Sequence, residues 1–350
     1  MSKVLTIQYL RAVAALAVVF FHAMDRLGLG RYGSIGAAGV DVFFVISGFV
    51  MWSIASAKES SPKEFMRNRV TRIVPVYWLY TLAIVAAATI HPAIFPRLQL
   101  SLEHIVSSLL FIPHYPPEGG EIRPIIAVGW SLEYEMFFYT VFAGFLFLSA
   151  SWRFAGLLAT LAIAVALGLF YSGQDPLLLT YGDPILLEFG AGVVIARLIQ
   201  LGRIPGRKSG LLLAAAGILG FAASALFETS PSYQVIFWGI PAFALVAGLV
   251  IFEHRGGVGS YKLLERLGDA SYSIYLVHTI LIALLASVIG SRLSHSFPAA
   301  FVAISLVAAA LAGLCSYYLI ERPLNRAFRR SAGDYKAAAA VKLEPALQQL

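Results

Sequence analysis

Apolar runs of about twenty residues recur from one end of the chain to the other, separated by short segments rich in charge, Pro or Gly. About twenty apolar residues is the length that crosses a bilayer core as a helix. Ten such runs can be drawn, at roughly 5–24, 38–56, 73–92, 126–149, 154–171, 178–199, 210–227, 233–252, 270–290 and 298–320, with edges uncertain by about 2–4 residues. The pattern predicts an all-α polytopic membrane protein, because a helix satisfies its backbone hydrogen bonds within itself, as hydrocarbon requires. One membrane domain is expected over residues 1–330, with a cytoplasmic tail over 331–350. The first run resembles a secretory leader, but Arg11 interrupts it and no small-x-small cleavage site follows, so it reads as a retained helix. No internal repeat is found.

Composition agrees with that solvent. The chain is 59% hydrophobic and 13% charged, with a mean hydropathy of +0.78, more apolar side chain than a soluble protein of 350 residues can hide. A net charge of +7 suggests nucleic acid only until the charges are placed. With the N-terminus in the cytoplasm, 21 of the 26 Lys and Arg residues fall on inner segments and 5 on outer ones (Arg26, Arg31, Arg97, Arg123 and Arg292). That is the positive-inside bias, so the charge sets orientation, with both termini expected in the cytoplasm. The single cysteine, Cys315, reads as a small core residue.

The longest outer connection, about 93–125, follows Pro92 and holds Pro96, Pro113, Pro116, Pro117, Pro124 and Gly119-Gly120, so it is expected to be mostly irregular. Residues 102–111 predict a short interfacial helix within it, and loops of this length tend to cap a site. Gly28-Leu29-Gly30-Arg31-Tyr32-Gly33 fits Gly-x-Gly-x-x-Gly, but it follows a membrane helix instead of a strand and so does not read as a dinucleotide site. There is no Walker A segment, nucleophile elbow or Cys/His metal spacing, and no metal is expected.

The candidate chemistry begins inside the first run. Arg11 and His22 stand eleven positions apart with little but apolar residues between them. Eleven residues make about three turns plus 20°, so both lie on one helix face, roughly 16 Å apart along the axis. Ionisable residues within a span usually face a bundle interior or a wet cavity. His22, Asp41, Glu133 and Glu135 fall in the outer half of the membrane, whereas Arg11, Arg69 and Arg72 fall toward the inner end. Each has a plainer reading: Arg11 as a snorkelling anchor, His22 as a helix-end residue, the arginines as topology signals, the acids as helix N-terminal carboxylates. His278 reads more readily as a structural hydrogen-bonding residue than a catalytic one, and Asp183 and Glu188 are buried acids without a pattern to assign them.

Together the two zones suit a substrate with two unlike ends. Arginines hold phosphates by charge and bidentate hydrogen bonds. A long thin arm can then carry a reactive group to His22, and an acyl-coenzyme A has this shape. His22 would act as general base on an acceptor hydroxyl that attacks the thioester, oriented by Asp41 or Glu135, between which the sequence does not choose.

These residues fall in segments that resemble the membrane-bound acyltransferase-3 family, and within it the exopolysaccharide O-acetyltransferases. Arg11 and His22 resemble its Arg-x10-His pair, and residues 39–49 its Gly-Val-Asp-Leu-Phe-Phe-Val-Leu-Ser-Gly-Phe segment. Arg69 and Arg72, followed by Ile73-Val74-Pro75, resemble its Arg-x-x-Arg motif, and Trp130-Ser131-Leu132 with Glu135 its Trp-Ser-Leu-x-x-Glu motif. Gly268 to His278 and Glu321-Arg322-Pro323 resemble its last two signatures. The resemblance implies transfer of an acyl group, usually acetyl from acetyl-CoA, to a glycan or lipid-linked oligosaccharide acceptor in the membrane. It implies His22 as the catalytic residue, with Arg11, Arg69 and Arg72 as essential partners. Glu133 stands where many relatives are uncharged, so no role is carried onto it. Many relatives also bear an extracytoplasmic hydrolase-like domain, for which this sequence has no counterpart. The competing expectation is a proton-coupled secondary transporter using Arg11, His22 and the acids, although transporters commonly show repeats.

Overall fold

The computed structural model describes residues 4–57, 61–96, 98–226, 233–289 and 296–328. The expected tail 331–350 and the charges at Lys3, Lys58, Arg97 and Arg292 lie outside them. Among the described residues the chain is helical and contains no strand. In chain order the helices are α1 Leu5–Arg26, α2 Gly30–Gly33, α3 Gly39–Ala57, α4 Pro62–Ile90, α5 Leu102–Leu110, α6 Trp130–Gly144, α7 Ala150–Leu169, α8 Pro176–Tyr181, α9 Leu186–Gln200, α10 Arg207–Ser224, α11 Ile240–Gly256, α12 Lys262–Asp269, α13 Ser271–Ile289 and α14 Pro298–Ser316.

Eight helical stretches among the described residues are long and apolar enough to cross a membrane. The other two expected runs are also helices, α6 and α10. The 15 residues of α6 fall short because a 3-10 turn precedes it and the chain bends after Gly144. The 18 residues of α10 start with Arg207 and Lys208, which lower its hydropathy. Two further departures have plain causes. Helix α4 starts eleven residues before the expected third run: Ser61 accepts a hydrogen bond from the Glu64 amide (3.2 Å) and Pro62 occupies the first turn, so Arg67, Arg69 and Arg72 sit on a helix and not in a loop. The expected sixth run is broken into α8 and α9 around Gly182-Asp183-Pro184.

Helix α3 lies at the centre; 72% of its most apolar stretch is buried, against 17% for α7. Its closest neighbour is α9, where the backbones touch: a Cβ on Gly48 would overlap the Phe189 carbonyl, and one on Gly192 would overlap the Val45 carbonyl. Small residues of this kind let membrane helices approach closely, and van der Waals packing then holds them. Phe44, Phe189 and Phe138 stack beside this crossing, with ring centroids 4.5 and 4.6 Å apart in succession. A second core joins α1 to α13 and α14 through Val19, Ala23, Ile274 and Phe301. The outward faces carry Phe170, Leu226, Val288 and Leu319, all at least three-quarters exposed, as a lipid-facing surface requires.

Candidate active site

The central helices enclose two cavities, one toward each end of α1. The first, about 190 Å³, is lined by Gln8, Arg11, Arg72, Glu135, Tyr139 and Tyr272 among others. The second, about 740 Å³, is lined by His22, Asp25, Glu133, Asp183, Gln234 and Trp238 among others. Val40 and Tyr275 line both. Arg11 and His22 therefore each face a cavity, as residues on one face of one helix.

At the Arg11 end, Arg11 Nη1 donates to Gln8 Oε1 (3.4 Å), and the charges of Arg72, Glu321, Asp269 and Glu135 act on its guanidinium. Glu321 is buried and accepts from Ser273 Oγ at 2.7 Å. Tyr272 OH donates to the Ile73 carbonyl (2.8 Å), tying α13 to α4 beside Arg72. Arg69 is buried outside this cavity lining, 5.9 Å from the Phe65 ring centroid. Of the two α4 arginines expected to bind a ligand, Arg72 thus reaches the cavity and Arg69 packs behind it.

At the His22 end, Phe21 and His22 form adjacent rings, and the imidazole of His278 lies 5.1 Å from that of His22, centroid to centroid. Glu133 is buried at the cavity wall, and its Oε1 has no hydrogen-bond partner among the described residues. Between the cavities, Tyr275 OH donates to the Val128 carbonyl (2.8 Å) and lies 2.9 Å from Ser131 Oγ.

The two carboxyls expected to orient His22 are engaged elsewhere. Glu135 belongs to the Arg11 cavity, where it accepts hydrogen bonds from Ser47 Oγ (3.1 Å) and Tyr139 OH. Helical spacing explains the split: two positions apart, Glu133 and Glu135 face different ways from α6. Asp41 is fully buried on α3, where it accepts from Gln234 Nε2 at 3.3 and 3.4 Å and lies near the buried carboxyl of Glu188 on α9. Among the described residues, no hydrogen bond joins His22 to either Asp41 or Glu135. The sequence reading missed Gln234, Tyr272 and Tyr275 as cavity residues. The last two lie within the segment 268–278 already singled out, whereas Gln234 carries no motif.

The long connection after α4 closes over the His22 cavity with Glu121, Ile122 and Arg123. It is tied to α5, which forms as its amphipathic pattern predicts. The Ile125 amide donates to Ser108 Oγ (3.0 Å), and His104 Nδ1 lies 2.7 Å from His114 Nε2. His114 Nδ1 is 2.7 Å from the Ile112 carbonyl, which can only accept, so the proton chain runs from His104 to His114 to that carbonyl. Burial, then the His114 charge and that of Arg123, push the His104 imidazole below its ordinary value, with Glu118 opposing. A base lowered in the closed loop binds its proton more readily once the loop opens. The tie is therefore complete above about pH 6.5, the ordinary histidine value, and is lost as pH falls below it. Hydrogen exchange at Ile125, corrected for intrinsic rate, should speed up between pH 7 and 5.5; a protection factor independent of pH would refute this.

The comparisons with known proteins bear on what the cavities do. The pattern of a family described as an acyltransferase domain matches residues 4–317. The exopolysaccharide production protein ExoZ of Rhizobium meliloti (strain 1021) is 42% identical over 321 residues, covering 90% of this chain and 98% of its own length. The acyltransferase MdmB of Streptomyces mycarofaciens is 29% identical over 367 residues, 92% of this chain and 91% of its own. The peptidoglycan O-acetyltransferase OatA of Listeria monocytogenes is 28% identical over 356 residues, 92% of this chain but 56% of its own, so this chain spans about half of that protein. No solved structure matches. A family match over residues 4–317, carried by a 42% identical relative aligned almost end to end, shows that the chain belongs to the acyltransferase-3 family and is an acyltransferase.

Proposed function

We propose that this protein moves an acetyl group from acetyl-CoA to a hydroxyl of an exopolysaccharide or other envelope glycan, with His22 as general base. The observation that carries this reading is the pair of cavities meeting at Val40 and Tyr275, one holding Arg11 and Arg72 and the other His22. The arginine cavity suits the donor. Guanidinium groups complement a pyrophosphate, and about 190 Å³ is below the usual size of a pocket for a whole ligand, so it suits an arm more than a body. The positive-inside bias supports a cytoplasmic mouth for this cavity. The 740 Å³ cavity suits the acceptor: Glu133, Asp183 and Gln234 offer hydrogen bonds to hydroxyls, and Trp130 and Trp238 offer apolar faces.

In this reading the acceptor hydroxyl gives its proton to His22 as its oxygen attacks the thioester carbonyl carbon. The carbon–sulfur bond then breaks, and His22 returns the proton to the departing sulfur. ExoZ, an exopolysaccharide production protein, and OatA, a peptidoglycan O-acetyltransferase, support a glycan acceptor. Membership of an acyltransferase family favours this reading over a proton-coupled transporter.

The test is mass spectrometry of envelope polysaccharide from cells with and without the chain, where loss of acetyl substituents is expected and an unchanged acetyl content would overturn the proposal. The donor half has its own test. Arg72→Met should raise the KM for acetyl-CoA roughly ten- to a hundredfold, the loss of one charge-assisted contact. An unchanged KM would move the phosphates elsewhere.

A further inference from the structure

We infer that His278 is the positioning residue of His22, holding its tautomer through an imidazole–imidazole hydrogen bond in place of the usual carboxylate; this rests on His22 being the base. Three observations converge. First, His278 Nδ1 lies 2.7 Å from the Tyr275 carbonyl, which can only accept, so Nδ1 carries the proton and Nε2 presents a lone pair. Second, that Nε2 is buried without a hydrogen-bond partner among the described residues, on a side chain with no exposed surface. An acceptor left unsatisfied in that setting costs on the order of 1–3 kcal/mol, so a donor is wanted there. Third, the His22 ring sits 5.1 Å away, centroid to centroid, not hydrogen-bonded to His278 as placed but close enough that a turn of its side chain brings an N–H to about 2.9 Å from that nitrogen.

The placement has the order such a device needs. His22 lines the large cavity, and His278 lies behind it, outside the cavity lining. One nitrogen of His22 donates to His278 Nε2 and keeps its proton throughout. The other nitrogen, left with a lone pair, faces the acceptor hydroxyl and alone takes and returns the transferred proton. His278 is thereby a neutral acceptor anchored on the main chain of α13, the same helix whose Tyr275 lines both cavities. The carboxylate on offer is Asp25, one turn along α1, exposed and at the cavity wall; its charge also acts on His22. Glu133 and Asp183 line the same cavity from α6 and the α8–α9 break.

The experiment uses membranes carrying the full chain, [14C]acetyl-CoA as donor and the host's own polysaccharide fraction as acceptor. His278→Gln keeps an acceptor, and His278→Phe keeps the ring shape without one. Phe is expected to lower kcat roughly ten- to a hundredfold with the KM for acetyl-CoA within about twofold, and Gln to recover most of that loss. On a His22→Ala background, His278→Phe should cost nothing further, since groups acting as one unit are not additive. Full activity of His278→Phe, or a loss in Gln as large as in Phe, overturns the inference while leaving the base intact. Full activity of His22→Ala overturns the base itself. If the variants fail to reach the membrane, the 15N spectrum of histidine-labelled wild-type protein decides. An N–H···N pair between the two rings is expected, and two histidines without such a bond refute the inference.

Discussion

His22→Ala is expected to abolish acetyl transfer, a loss of about 10²–10⁴-fold in kcat, with normal accumulation of the protein in the membrane. The separation of effects follows from where α1 keeps its packing. Val18, Val19 and Ala23 are buried and join its neighbours to the two cores, whereas His22 is half-buried and opens onto a cavity. Removing the imidazole enlarges an existing space without emptying a packed one, so the usual penalty for a buried truncation is not incurred. Immunoblotting of the membrane fraction, together with acetyl content of the polysaccharide, reads both halves at once. Acetylation at the wild-type level in His22→Ala would sink the mechanism.

Gly192→Leu is the second large effect, and it acts on the fold. The hydrogen of Gly192 faces the Val45 carbonyl on α3, and Gly48 faces the Phe189 carbonyl in return. A side chain cannot rotate out of conflict with an opposing backbone, so α3 and α9 must separate. Inserting bulk into a packed core typically costs about 1–3 kcal/mol, and a backbone contact at the centre of the bundle belongs at or beyond the upper end. Moving α9 also moves Glu188 away from Asp41. The expected outcome is loss of most of the folded protein, seen as aggregation on detergent extraction in size-exclusion chromatography. The matched control puts the same side chain one position earlier: Ala191→Leu, on a half-buried site, should extract normally. Equal behaviour of the two variants would contradict the close crossing.

Hydropathy alone carried the architecture, because a bilayer leaves a spanning chain little choice but a helix of fixed minimum length. It failed where a local signal outweighed the apolar run. Ser61-Pro62-Lys63-Glu64 is a capped helix start, and reading it as loop hid the fact that Arg67, Arg69 and Arg72 ride on α4. Gly182-Asp183-Pro184 is a chain breaker inside an otherwise apolar stretch, and overlooking it hid why Asp183 faces the large cavity. The eleven-residue spacing of Arg11 and His22 was legible because it needs only helical geometry. The surroundings of His22 were not. Asp41 and Glu135 share its membrane half in sequence, but depth is one coordinate of three, and rotation about α3 and α6 sends each toward other partners. The approach of His278 to His22 joins helices more than 240 residues apart and has no local signature.

The sharing of just two wall residues, Val40 and Tyr275, by the two cavities has an evolutionary consequence. Substitutions at Glu121, Arg123 or Trp238 reshape one chamber and leave the lining of the other untouched. If the two chambers serve acceptor and donor as proposed, such a scaffold can diversify its clientele on one side while its supply port stays constant, so descendants with new acceptors need not reinvent the handling of the donor.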